Sequence, residues 1–376
     1  MELPKSKWGF LKEGTRFISR LPFLYVSYSR NHAVNTFPLS VDINITDRCN
    51  FRCKHCRGVI PDYSPKEEMD WVIIRKIIDE MRVMNIPYLS IGGGEPLLRY
   101  DLIVQTIEYA KKYGIGVGIV TNGALLDENK LNELANVGIH RIAISLDGAT
   151  KETHDYIRMP GSFDHIMTVL SLCQNIRQEN RFRLHINTVV TKSNFEQLME
   201  ITHIAEKYHA TAFFQPVGIP QVYDLSNRTF SPTKGVDEFV INSEDLSRLE
   251  KKIEELIDFK KSQGVVGNLI WQLSNIVTYY KGLEEGKPLS PFKCYAGFNT
   301  IHIDSDGGLS SCIFMPSIGN VRDISLRQAW LSEGYNAHRK LIKRCDRLCA
   351  LNCYYPISLP GLIYEFGYLP IKHAIR

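Results

Sequence analysis

The chain has no stretch of about 18 consecutive apolar residues, which argues against a membrane-spanning helix. Low-complexity tracts and repeats at solenoid periods are also missing, so neither a repeat array nor a compositionally biased tail is expected. The first residues lack the charged, then apolar, then small order of a signal peptide, and the expected location is the cytoplasm. Charge of one sign is scarce: 45 Lys and Arg stand against 41 Asp and Glu, a net of +4 that is too small to point to nucleic acid. The excess is local, because Lys5, Lys7, Lys12, Arg16, Arg20 and Arg30 face only Glu2 and Glu13 in residues 1–35. Cysteine, by contrast, is plentiful at nine, and without an export signal these read as metal ligands rather than disulfides.

The 376 residues are enough for one large domain and a smaller one. From 40 to 216, short apolar runs alternate with amphipathic stretches, the pattern of repeated βα units. Strands are expected at Ser40–Ile45, Tyr88–Ile91, Gly116–Val120, Arg141–Ser145, Leu184–Val190 and Ala212–Gln215. Helices are expected at Met69–Met84, Leu102–Tyr113, Glu128–Val137, Phe163–Arg177 and Phe195–Tyr208, with Gly114 and Gly138 as stop signals. The fold class is α/β, a partial (β/α)6 barrel open on one side. A basic arm (1–39) precedes the barrel (40–216). Linker or lid helices (217–290), a small C-terminal α+β domain (291–355) and an aromatic, apolar tail (356–376) follow it.

Cys49, Cys53 and Cys56 form a C-x3-C-x2-C set just past the first strand. Three thiolates fall one short of the four protein ligands usual for an electron-transfer cube, so one iron would be left for a substrate or cofactor. The same cysteines with His55 would also suit structural zinc. In parallel α/β folds, chemistry collects at the C-terminal ends of the strands. Gly92-Gly93-Gly94-Glu95-Pro96, Thr121-Asn122-Gly123 and Ser145-Leu146-Asp147-Gly148 end strands two, three and four there, beside the cysteine loop.

With these motifs in place, the chain resembles the radical S-adenosylmethionine (SAM) superfamily over roughly residues 40–355. The resemblance implies a 4Fe–4S cube on Cys49, Cys53 and Cys56 whose open iron is chelated by SAM. It also implies reductive cleavage of SAM to a 5′-deoxyadenosyl radical that abstracts a hydrogen atom. Gly93-Gly94-Glu95-Pro96 matches the family's GGEP motif, which implies contact with the SAM amino group. Thr121, Asn122, Ser145 and Asp147 resemble residues near the ribose and methionine. Arg158 resembles an arginine that pairs with the methionine carboxylate, a task suited to guanidinium. Asn187, polar inside an apolar strand, needs a partner, either SAM or a core group. His55 stands where the family often has an aromatic residue stacked on adenine. Cys173, within a helix, reads as a small buried apolar residue.

Cys294, Cys312, Cys345, Cys349 and Cys353 form a second set. Residues 301–312 read as a β-hairpin with an Asp/Gly turn between the first two of these cysteines. The set resembles the SPASM and Twitch extensions of radical SAM enzymes, which implies one auxiliary 4Fe–4S cluster on Cys294, Cys312, Cys345 and either Cys349 or Cys353. Four cysteines on zinc are the alternative.

The expected enzyme oxidises, or forms a C–C, C–S or C–O bond on, a small-molecule substrate such as a cofactor precursor, sugar or lipid. The resemblance also admits a ribosomal-peptide maturase. A non-catalytic redox sensor or scaffold is the rival from another class. Partners would include an external electron donor such as flavodoxin or ferredoxin, and no nucleic acid. Residues 1–30, basic and aromatic, would either contact an anionic membrane surface or pack across the barrel's open side or bottom. Asp304, Asp306, Tyr223 and His302 carry proton-transfer groups, but no pattern selects among them.

Overall fold

The computed structural model describes residues 23–24, 26–30, 36–56, 67–179, 182–218, 221–224, 229–232, 237–286, 294–345 and 349. Strands β1 (Ser40–Thr46), β2 (Tyr88–Gly93), β3 (Gly116–Thr121), β4 (Arg141–Ser145), β5 (Arg183–Val190) and β6 (Thr211–Pro216) pair in parallel, each with its successor. Between them run helices α1 (Trp71–Val83), α2 (Tyr100–Lys111), α3 (Glu128–Val137), α4 (Lys151–Ile157) and α5 (Ser162–Glu179), and α6 (Leu198–Lys207) follows β5.

β1, β2, β5 and β6 alternate between buried and half-buried residues, whereas the central β3 and β4 are buried over three or more consecutive residues. On β5, Leu184, Ile186, Thr188 and Val190 are buried, whereas Arg183, His185, Asn187 and Val189 are half-buried on the opposite face. β1 does the same, with Val41, Ile43 and Ile45 in the core and Ser40, Asp42 and Asn44 on the other face. Side chains two apart share a face of a strand, so the apolar face meets the helices and leaves a polar inner wall. The helices answer with apolar stripes: α1 buries Ile74, Ile77, Ile78 and Met81 and is capped by Asp70, whose carboxylate accepts from Ile73 N. Cys173 lies in this core, fully buried.

Both edges of the parallel sheet are covered. At β6, Asn268 mimics a neighbouring strand: its Oδ1 accepts from Phe214 N at 2.7 Å and its Nδ2 donates to Phe214 O at 2.8 Å. It sits between α7 (Ser243–Gln263) and α8 (Ile270–Glu284). At β1, the expected hairpin forms as β9 (Thr300–Ile303) and β10 (Leu309–Ser310), but β9 pairs in parallel with β1, placing Asp42 beside His302. Residues expected as a separate small domain therefore share the barrel's sheet, eight strands in the order β10-β9-β1-β2-β3-β4-β5-β6. Pairing an edge strand satisfies a row of backbone groups that would otherwise invite association. Ser305 Oγ to Asp47 (2.6 Å) and Lys76 Nζ to Val321 O (2.6 Å) tie the segment down further.

α4 and a hairpin beyond β6 were not anticipated. α4 is only seven residues, too short for an apolar period to register. The hairpin of β7 (Gln221–Asp224) and β8 (Thr229–Pro232) falls in a polar stretch read as linker. Past β10, α9 (Leu326–Leu331) and α10 (Glu333–Ile342) complete the described chain up to Cys345, with Cys349 beyond. Residues 23–30, apart from 25, are helical, and Leu24 and Tyr28 bury against Tyr295 and Phe298. This part of the arm lies beside Cys294, where the stacked Tyr28 and Tyr295 rings (4.3 Å) bury each other. Residues 1–22 and the tail from 351 lie outside the described residues. Among the described residues no helix is long and apolar enough to cross a membrane.

Candidate functional site

The three-cysteine loop leaves the end of β1 and is pinned from several directions. Cys56 N donates to Cys53 O at 3.0 Å, and Phe51 N to Cys49 Sγ at 3.4 Å. Lys54 N reaches Ile157 O at the end of α4 (2.9 Å), and Asn122 Nδ2 from the end of β3 reaches Asn50 Oδ1 (2.8 Å) and Cys49 Sγ (3.9 Å). Burial pushes the Cys53 thiol up to about 11, against the pull of Arg158, and also raises Cys49. Cys56 raises both further, so the three thiols lie within electrostatic reach of one another. Half-buried thiols held protonated, as Cys49 and Cys53 are, are poor nucleophiles and become thiolates on binding metal.

The β2 turn supports this loop from below. Gly93 has φ +119°, and a Cβ on Gly94 would sit 2.1 Å from Arg48 O, so only glycine lets the turn approach the cysteine loop. Gly94 N donates to Thr46 O and Glu95 N to Arg48 O, each at 2.8 Å. Glu95 is fully buried and its carboxylate accepts from Leu97 N (3.0 Å), Thr121 Oγ1 (2.7 Å) and Asn122 N (2.8 Å). It locks the ends of β2 and β3 together, and Pro96 opens the helical turn that it caps.

Arg158, Asp147 and His55 form the third wall. Arg158 Nε meets Asp147 Oδ2 at 2.5 Å, while its Nη1 points to Cys53 Sγ at 3.9 Å. Burial alone would raise the Asp147 carboxyl, but Arg158, then His55 and Val189 N, more than offset it and hold it below the usual carboxylate value. His55 Nε2 lies 3.5 Å from the same oxygen, and burial pushes its pKa down to about 4, leaving a neutral imidazole at pH 7. Ser145 and Asn187 face each other across the β4–β5 register. Among the described residues the Ser145 hydroxyl, the Asn187 amide and the buried His55 Nδ1 have no hydrogen-bond partner, as befits groups facing a polar ligand.

All the rim residues singled out in the sequence are thus in one region. Supporting residues were missed. Asn194 Nδ2 holds Asp147 O (2.9 Å) and Val189 O (2.8 Å), and His154 Nδ1 accepts from Asp147 N (3.1 Å). Asn194 closes the turn after β5 by accepting from Thr191 N, and the Thr-Lys-Ser-Asn sequence was its available signal.

Cys294 is raised well above its usual value by burial, and Cys312, Cys349 and Cys345 raise it further, so each of these three thiols lies within electrostatic reach of Cys294, although among the described residues no three His, Cys, Asp or Glu side chains stand close enough to hold a metal ion. Cys353 lies outside the described residues. Ala296, Met315 and Ile342 pack around Cys294 and Cys312, so the pair is shielded by apolar groups.

Residues 43–205 match the radical SAM superfamily and residues 294–354 the SPASM iron–sulfur cluster-binding domain. The chain is 26% identical over 320 residues to the AdoMet-dependent heme synthase of Methanosarcina barkeri, covering 82% of this chain and 86% of that one. It is 36% identical over 174 residues to the mycofactocin maturase MftC of Mycobacterium tuberculosis, covering 46% of this chain but only 43% of the maturase. In fold it is similar to Streptococcus suis SuiB bound to S-adenosylmethionine (TM-score 0.62, 16% identity, 92% of this chain and 79% of that one). It is likewise similar to anSMEcpe with bound AdoMet (TM-score 0.63, 18% identity, 90% of this chain and 100% of that one). A rim of three cysteines backed by glycines, a buried acid and an arginine pair, together with a four-cysteine segment on the same sheet, identifies the chain as a member of the radical SAM superfamily with a SPASM-type iron–sulfur domain.

Proposed function

We propose that the chain cleaves S-adenosylmethionine reductively at the barrel rim and oxidises, or forms a bond on, a small-molecule substrate of the cofactor-precursor class. The observation that carries this is the meeting of Cys49, Cys53 and Cys56 with Arg158 on one side and the unpartnered Ser145 and Asn187 on the other. The iron–sulfur cube and SAM, when bound, supply the one-electron reduction and the 5′-deoxyadenosyl radical. Arg158, fixed by Asp147, offsets the negative sulfur at Cys53 and would receive the methionine carboxylate. Gly93 and Gly94 let the backbone close on the SAM amino group, while Glu95 holds Thr121 and Asn122 in place. Ser145 and Asn187 would take the ribose hydroxyls, and the neutral His55 ring would lie against the adenine.

Full-length similarity to heme synthases supports a tetrapyrrole-sized substrate, since 82% of this chain aligns with the Methanosarcina barkeri protein. A peptide is the second reading, supported by the greater identity to the mycofactocin maturase, 36% over 174 residues. A flavodoxin- or ferredoxin-type donor would deliver the electron. Incubating the reconstituted protein with SAM and dithionite, with either an iron porphyrin carrying propionates or a set of short peptides, separates the two. Deoxyadenosine formation stimulated by the porphyrin alone supports the first reading. Stimulation by peptides alone replaces it with the second.

A further inference from the structure

The floor of the barrel carries cations that the rim does not use. Arg141 opens β4 on the inner face, which it shares with Ala143 and Ser145, since Ile142 and Ile144 lie in the core. Beside it on β3, Gly116 and Gly118 put no side chain on that face, and neighbours lie over the bare backbone. A Cβ on Gly118 would collide with Tyr88 Oη and lie 3.1 Å from Arg141 Nε. The Arg141 guanidinium carbon is 5.0 Å from the Tyr88 ring centre, and the His140 ring meets Tyr88 edge-on at 5.6 Å. On the other side, Arg183 of β5 stands opposite Arg141 and His185 opposite Ala143.

Arg141 lacks an acceptor. Its Nε is buried without a partner, and among the described residues its guanidinium makes no hydrogen bond or ion pair. The Tyr88 ring meets the cation but takes none of its N–H donors in a hydrogen bond. A buried donor left unsatisfied is costly, and like charges directly opposite on two strands add to the cost. The basic character of the floor is felt by His185, pushed down to about 3 by burial and then by Arg141, Arg183, His140 and Arg177. Arg177 is spent on Phe182 O at 2.9 Å and His209 O at 2.7 Å. The acid that feels Arg141 is Asp42, three strands away along the register Asp42, Ser90, Gly118, Arg141. Asp42 already accepts from Thr300 Oγ1 at 3.2 Å, and burial holds its carboxyl above the usual value, so it is a weak counter-ion.

We propose that Arg141 is a specificity-determining residue that binds a carboxylate of the substrate inside the barrel. This rests on the functional reading above, which puts the reacting atoms at the rim. Guanidinium presents two parallel N–H donors to a carboxylate, and glycines in a strand interior leave room for a ligand to approach the wall. Arg141 and Ser145 are four residues apart on one strand, about 13 Å at about 3.3 Å per residue. The substrate is therefore long, with its carboxylate near the floor and its reacting carbon near the rim, and a short acid does not reach both. A propionate arm of a tetrapyrrole and an acidic side chain of a peptide offer the same group.

The test is a binding titration of the full chain, which needs no turnover. An iron porphyrin carrying propionates is compared with its methyl ester by absorbance. The acid should bind roughly tenfold tighter than the ester or better. Arg141→Gln should lose that preference, and Lys112→Gln, exposed at the end of α2, should keep it whole. Equal binding of acid and ester by the wild type, or a preference that survives in Arg141→Gln, would overturn the inference and leave the porphyrin reading standing. If the porphyrin does not bind, the substrate reading fails, and paired short peptides differing by Glu against Gln decide Arg141 in the same way. Binding of neither class would overturn the inference as well. Should Arg141→Gln unfold at clearly lower urea, Arg141→Lys decides, because it keeps the charge but loses the fork. It should bind the acid several-fold more weakly and the ester as before, and an unchanged affinity for the acid would overturn the proposal.

Discussion

Glu95 and Asp147 are the residues on which the rim geometry depends, and each is buried with its oxygens fully engaged. Replacing Glu95 by Ala strands three donors in a water-poor site and should cost about 3 kcal/mol, at roughly 1 to 3 per lost buried partner with partial relaxation. The urea unfolding midpoint measures it, and Glu95→Gln should recover part of the loss. Asp147→Asn leaves Arg158 as a buried cation without its carboxylate and should destabilise by about 3 to 5 kcal/mol, as broken buried ion pairs do. Because the folded Asp147 pKa is depressed, its stabilisation is present above the unfolded value of 3.8 and is lost as pH falls through the folded value. The cysteine spacing and the glycine motif announced the site in the sequence. The supporting roles of Asn194 and His154 did not, because single polar residues acquire meaning only from the atoms they meet.

At the scale of elements, β4 and α3 have the bounds read from sequence, and the other barrel strands extend by a residue or two. Alternation and helix caps are local signals, so they survive without tertiary information. The pairing of β9 with β1 joins residues about 260 apart, and no local pattern encodes it. The close approach of β2's end to the cysteine loop is equally non-local, yet it has a sharp consequence. In Gly94→Ala the new Cβ meets Arg48 O at 2.1 Å, and the Glu95 N to Arg48 O bond must break. A loss of about 2 to 3 kcal/mol is expected, the upper range for overpacking, with weakened iron retention by the cysteine loop as the readout.

At the scale of the molecule, the second cysteine set is stitched to the barrel through β9 rather than hung from a linker. Truncation after residue 290 should therefore expose the β1 edge and yield aggregates in size-exclusion chromatography, where the full chain elutes as a defined species. Buried histidines give the whole fold a pH signature. Desolvation pushes His55, His154 and His338 down to about 4 and His185 to about 3 from a usual 6.5. The unfolded chain then binds more protons than the folded one between these values, so stability rises with pH from about 4 to 6.5. His185→Phe should flatten that rise in urea titrations of the apo protein, and an unchanged slope would remove His185 as a contributor.

The central claim is a radical-generating cube at the rim plus one auxiliary cluster on the same sheet. Iron and 5′-deoxyadenosine are to be measured together, in the anaerobically reconstituted protein and in the variant with Cys49, Cys53 and Cys56 changed to Ala. About eight irons falling to about four, with deoxyadenosine lost in the variant, is the predicted result. Deoxyadenosine made equally by both proteins, or none made by the wild type with eight irons bound, would contradict it.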